Sequence, residues 1–144
     1  MQEILSLDNI FLALDSEPHE DAIVRCGNIL VDSGYVSPNY VEGMLKRNRS
    51  FSTAIGNYIA IPHGEKEYKK DILKTGICAL TYPDGLSWDG ETVYLVIGIA
   101  AQGDEHLDIL NNIVDKLDTG EDVVRLVQQN SKQAIYDLFI GSEQ

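Results

Sequence analysis

A chain of 144 residues, 44% hydrophobic and 24% charged, is long enough for one domain with a proper core. Its formal net charge of −12 argues against nucleic acid or an anionic membrane as a general partner. No apolar run approaches the roughly 20 residues that span a bilayer, and Met1-Gln2-Glu3-Ile4 has no basic stretch ahead of an apolar one, so no signal peptide and a cytosolic location are expected.

Asn9 to Leu14 reads as a first strand. Ser16 is expected to cap a helix with Pro18 in its first turn. Ala22, Ile23, Cys26, Ile29 and Leu30 form the apolar face of that helix, and Gly34 ends it. A second helix is expected from Ser37 as cap and Pro38 at the first position, with Val41, Met44 and Leu45 inward and Arg47 near its C-terminus, where a cation also complements the dipole. Residues 48–57 are polar and read as turn. Tyr58-Ile59-Ala60-Ile61 alternates like a buried strand. Pro62 cannot donate to a ladder and ends it; Gly64 turns without a Cβ penalty.

Glu65 to Lys70 reads as a loop or short helix, and residues 76–82 as a third strand. Pro83-Asp84-Gly85 carries turn chemistry, and Trp88-Asp89-Gly90 is expected to extend the same surface loop. Val93 to Ala100 is a nearly continuous apolar strand suited to the middle of a covered sheet. A helix then opens at Gly103-Asp104-Glu105-His106, with Leu107, Leu110, Ile113, Val114 and Leu117 inward. Thr119 and Ser131 are expected to cap two more, and Gly141 to stop the last. The expected fold is α/β, a single three-layer α/β/α domain over 1–144. Its mixed sheet has roughly four to five strands, in the order β-α-α-β-β-β-α-α-α.

His63 stands out because a strand end presents it on a turn, and a neutral imidazole nitrogen is nucleophilic near pH 7. The bland alternative is a histidine that hydrogen-bonds a loop. Lys46, Arg47 and Arg49 lie upstream and Lys66, Lys69 and Lys70 downstream, which suggests either an anion site or two solvated charge runs. His106 falls in the first turn of a helix, where unpaired N–H groups attract anions. If the strand before it runs parallel to the His63 strand, both histidines and an arginine face one pocket suited to a phosphoryl group. Asp104 and Glu105 read as first-turn dipole partners, and His19 as a solvated surface residue. Cys26 and Cys78 read as buried thiols, and no spacing suggests zinc. P-loop, dinucleotide, serine-hydrolase and metalloprotease motifs are missing.

Asn48 followed by Ile55-Gly56-Asn57-Tyr58-Ile59-Ala60-Ile61-Pro62-His63-Gly64 closely resembles enzyme IIA components of the bacterial phosphoenolpyruvate-dependent sugar phosphotransferase system, mannitol–fructose class. The resemblance continues through Tyr40-Val41-Glu42-Gly43-Met44-Leu45, Lys74-Thr75-Gly76, Val96-Ile97-Gly98-Ile99-Ala100-Ala101 and Glu105-His106-Leu107, and is strongest to the mannitol branch. It implies that His63 accepts a phosphoryl group from the histidine-containing phosphocarrier protein. It further implies transfer to a cysteine on the enzyme IIB domain of a membrane permease. His106 matches the family's second active-site histidine, Arg47 its arginine, and Thr53 a small hydroxylated position nearby. No metal or organic cofactor is implied. Asn48-Arg49-Ser50-Phe51 departs from the acidic-rich family pattern, so Arg49 stays open beside Arg47. A regulatory, nitrogen-related member is the alternative; a scaffold domain of the same fold is disfavoured by Pro62-His63-Gly64.

Overall fold

The computed structural model describes the backbone of residues 5–102 and 105–140; within the last helices the side chains at 105–107, 109, 110, 114 and 140 fall outside the described set. Strands β1 (Ile10–Phe11), β2 (Ala54–Gly56), β3 (Ile59–Ala60), β4 (Gly76–Trp88) and β5 (Glu91–Ala100) form one sheet in the order β1-β4-β5-β3-β2. It is mixed: β1 runs parallel to β4 and β3 parallel to β5, whereas β4–β5 and β2–β3 are antiparallel. Helices α1 (His19–Asp32) and α2 (Tyr40–Ser50) pack on one face, and α3 (Glu105–Lys116), α4 (Gly120–Gln129) and α5 (Lys132–Ile140) on the other. No helix among the described residues is long and apolar enough to cross a membrane.

The central strands are buried on both sides, as their continuous apolar runs require. Ile59, Ile61, Leu95 and Ile97 point into a core with Ile113, Val123, Leu126 and Phe139. Ala60, Leu80 and Val96 point the other way, against Ile23, Cys26, Leu30 and Met44. Gly34 ends α1 at φ 81°, with Gly34 N–H donating to Val31 and Tyr35 N–H to Leu30, both 3.0 Å, a Schellman closure. Thr119 and Asp122 cap α4 reciprocally, and the Ser131 hydroxyl accepts Ala134 N–H. Gly141 lies outside the described residues.

Several local expectations are corrected. The first strand is only Ile10–Phe11. α1 starts at His19 with Pro18 at its cap position, so Ser16 caps nothing. α2 starts at Tyr40, two residues after Pro38, and the Ser37 hydroxyl donates instead to the Asp71 carboxylate at 2.8 Å. Part of the 48–57 stretch forms β2, which adds a strand to the expected order because Ala54 and Gly56 pair with β3. Pro83-Asp84-Gly85 does not reverse the chain. Thr81 faces Leu95 and Leu86 faces Val93, so residues 82–85 bulge out of a continuous β4. The reversal falls at Asp89-Gly90, φ 50° and 90°, the left-handed pair of a tight hairpin turn. Trp88 beside it is fully buried rather than part of a surface loop.

Candidate active site

The parallel pairing of β3 with β5 sets the site. Ile59 faces Leu95 and Ala60 faces Val96, so the carboxyl ends of both strands lie side by side, where open α/β sheets hold their ligands. The pairing continues as a parallel bridge between His63 and Ile99, with Ile99 N–H donating to the Pro62 carbonyl at 3.0 Å. The half-buried His63 ring has Nδ1 2.9 Å from the Ile61 carbonyl. A carbonyl oxygen only accepts, so Nδ1 carries the proton and Nε2 carries the ring's lone pair. The fold thus selects the tautomer and leaves Nε2 as the unprotonated ring nitrogen.

Gly64 is needed for a different reason from the one the sequence suggests. Its φ is not in the left-handed region; instead, a Cβ there would lie 2.5 Å from Tyr40 Cε1. Tyr40 is buried under the turn, its hydroxyl accepting Gly64 N–H at 2.8 Å and donating to the Ile99 carbonyl at 3.2 Å. Burial pushes this phenol up to about 12, against a smaller opposing effect of the Gly64 N–H, so it stays protonated.

A cavity of ≈ 240 Å³ opens over His63 and Gly64, walled by Tyr40, Ile72, Ile99 and Ala101 and by the cations Arg47, Lys66 and Lys69. Arg47 sits in the last turn of α2, its guanidinium donating to the Phe51 carbonyl at 2.6 Å and lying 5.7 Å from the Phe51 ring. Arg49 points away, in a two-pronged pair with Glu20 at 2.8 and 2.9 Å, which holds the Glu20 carboxyl below its usual range. Of the two arginines, Arg47 therefore shares the cavity with His63. Lys46 instead lies over the Tyr68 ring at 5.6 Å.

Thr53 does not line this cavity. It is buried, its N–H and hydroxyl both donating to Asn48 Oδ1, at 2.8 and 2.7 Å. Trp88 Nε1 donates to the same oxygen at 3.0 Å, and Asn48 Nδ2 donates to Asp89 at 3.1 Å. The Thr53 carbonyl in turn accepts Ile61 N–H at 2.9 Å. The carbonyl that locks His63 thus belongs to a residue anchored through Thr53 to Asn48. Sequence reasoning gave no chemical role to Asn48 or Tyr40. A polar residue at a helix C-terminus before a strand, and a tyrosine inside an apolar helix face, were the available signals. His19 is also not simply solvated: its Nε2 is 3.3 Å from Asp89 and its ring 5.5 Å from Trp88. Glu105 and His106 are the first two residues of α3, the next element in the chain after β5; their side chains lie outside the described residues.

A second, larger cavity of ≈ 840 Å³ lies elsewhere, among Asn57, Tyr58, Thr119, Gly120, Glu121, Val124 and Arg125. No histidine stands among its described lining residues, and it is somewhat more open than the His63 cavity.

Residues 3–141 match the family model described as "Phosphoenolpyruvate-dependent sugar phosphotransferase system, EIIA 2". The mannitol-specific phosphotransferase enzyme IIA component of Halalkalibacterium halodurans is 43% identical over 140 residues, 97% of this chain and 96% of that one. Among solved structures, enzyme IIAMtl in its complex with phosphorylated enzyme IIBMtl from Escherichia coli superposes with a TM-score of 0.86 at 37% identity, covering 95% of this chain and 99% of that one. The crystal structure of IIA mannitol from E. coli gives 0.84 at 38%, covering 93% and 97%.

Proposed function

Because this chain belongs to the EIIA 2 family of the phosphoenolpyruvate-dependent sugar phosphotransferase system, we propose that it is a phosphotransferase component carrying a phosphoryl group on His63. The donor is the phosphohistidine of a histidine-containing phosphocarrier protein. The acceptor is a cysteine on the enzyme IIB domain of a mannitol-type permease, in keeping with the phosphorylated IIB partner of the E. coli relative. Residues 1–144 act as one carrier unit on the cytoplasmic side of that permease, and sugar is phosphorylated as it enters.

The observation that carries this reading is the His63 ring tied through Nδ1 to Ile61 in a cavity shared with Arg47. His63 Nε2 attacks phosphorus with its lone pair. An N–P bond forms as the donor's N–P bond breaks, and the donor imidazole keeps the electron pair. No proton leaves His63, because Nδ1–H stays on the Ile61 carbonyl. In the second transfer a cysteine thiolate attacks, an S–P bond forms, and Nε2 recovers its lone pair. Positioning and charge neutralisation supply most of the catalysis in such transfers. Arg47 serves here by exchanging its Phe51 carbonyl for phosphoryl oxygens. His106, with Glu105 beside it at the start of α3, is proposed as the second active-site histidine, and Thr53 as an auxiliary that holds Ile61.

The test is incubation with phosphoenolpyruvate, enzyme I and the phosphocarrier, followed by mass spectrometry of the peptide around residue 63. A gain of one phosphate on His63, discharged on adding a mannitol-type IIB domain, is expected. Phosphate retained after His63→Ala would overturn the assignment.

A further inference from the structure

The parallel ladder between β3 and β5 is interrupted at the step that carries His63. In a regular parallel ladder, Ile99 would donate to the Pro62 carbonyl and accept from Gly64 N–H directly. The first bond is present at 3.0 Å. In place of the second stands a side-chain oxygen: Gly64 N–H donates to the Tyr40 hydroxyl at 2.8 Å, and that hydroxyl donates to the Ile99 carbonyl at 3.2 Å. A phenol from α2 is wedged between two strands where the nucleophile sits.

We propose that Tyr40 is a positioning residue for phosphoryl transfer, its hydroxyl setting the spacing between the His63 turn and β5 and so the aim of His63 Nε2. Three observations meet on this atom. Its ring supports the Gly64 backbone so closely that a Cβ there would fall 2.5 Å away. The phenol lies on the wall of the His63 cavity. Its single proton and its oxygen serve the two backbone groups that would otherwise bond each other. Together with Ile99 N–H on Pro62, it pins the chain on both sides of His63 to one residue of a central strand. The ring nitrogen is then fixed by the Ile61 carbonyl. Displacements of about 1 Å in such an arrangement change rates by around 10²-fold.

Removing the oxygen lets the ladder close on itself and carries His63 toward β5. The proposal rests on His63 being the phosphoryl acceptor, and Tyr40→Phe tests it. The expected result is kcat for transfer from the phosphorylated carrier lowered at least about 10-fold, with KM for that carrier within about 2-fold, since the outer surface is untouched. Nitrogen NMR of His63 should show a smaller share of the Nδ1–H tautomer in Y40F, a readout that destabilisation alone does not move. Wild-type kcat and an unchanged tautomer share in folded Y40F overturn the proposal. If Y40F does not fold, the wild-type protein decides: a slowly exchanging Tyr40 hydroxyl proton with a cross-peak to the Gly64 amide supports the wedge, and its absence overturns it. Failure here with phosphate still on His63 removes only the role of Tyr40, whereas phosphate on His63→Ala removes the functional reading itself.

Discussion

The two ends of β3 are built from opposite materials. At its start, Gly56, Asn57 and Tyr58 all take left-handed φ values of 93°, 53° and 68°. A tyrosine in that region stores strain of roughly 1–2 kcal/mol. The strain is held by packing: the Tyr58 ring meets Tyr94 edge-on at 5.0 Å and lies where a Cβ on Gly120 would fall, and Asn57 Nδ2 donates to the Asp118 carbonyl at 3.1 Å. At the far end His63 has a positive-φ residue on neither side, and what fixes it is hydrogen bonding from Ile61, Ile99 and Tyr40. The larger cavity lies at the strained end and the smaller at the bonded one. The bonded end, not the larger or more strained one, is where a histidine of chosen tautomer shares a cavity with three cations, Arg47, Lys66 and Lys69.

The sharpest way to break that contrast is to substitute both ends. His63→Ala should abolish phosphate uptake from the phosphorylated carrier, followed by mass spectrometry. Arg125→Ala, on the larger cavity, should leave the initial rate within about 2-fold, since Arg125 pairs with Asp122 at an exposed site. Next in size, Arg47→Ala should slow transfer about 10²- to 10³-fold, the loss typical of one transition-state donor, without lowering the melting temperature by more than a few degrees. Arg49→Ala, whose guanidinium is engaged by Glu20, should stay near the wild-type rate. Asn48→Ala strips one acceptor from Thr53 N–H, the Thr53 hydroxyl and Trp88 Nε1, all buried, and should cost on the order of 3 kcal/mol in urea unfolding.

The smallest effect concerns a carboxylate far from either end. Hydrogen bonds from Arg25, opposed by partial burial and aided by the Tyr82 hydroxyl, hold Glu17 below the usual carboxylate range. A lowered folded pKa gives stability that is complete above the unfolded value of about 4.3 and lost as pH falls through the folded one. The melting temperature should therefore drop below about pH 4.3, and less steeply in Glu17→Gln.

Much of this was legible in the residues. Alternation at Tyr58 to Ile61, the proline after it and the long apolar run of β5 are local signals, because a strand's burial repeats every two residues along its own chain. The caps at Thr119 and Ser131 and the glycine ending α1 are equally local, since their partners lie within five residues. The bulge at residues 82–85 was missed because turn residues serve a bulge as well as a reversal. Only the partner strand's register distinguishes the two.

By itself the sequence determined an α/β chain with a histidine at a strand end and cations on either side of it, because composition, periodicity and motif spacing act over short stretches of chain. Which cations line the cavity of the histidine, which of its nitrogens carries the proton, and why glycine follows it were decided only in three dimensions. Those answers depend on groups far apart in sequence. Tyr40 and Ile99 stand 59 residues apart, and Asn48 and Trp88 stand 40 apart. Such pairs meet only when α2 is packed on a sheet whose strands run β4-β5-β3, and no local pattern encodes that order.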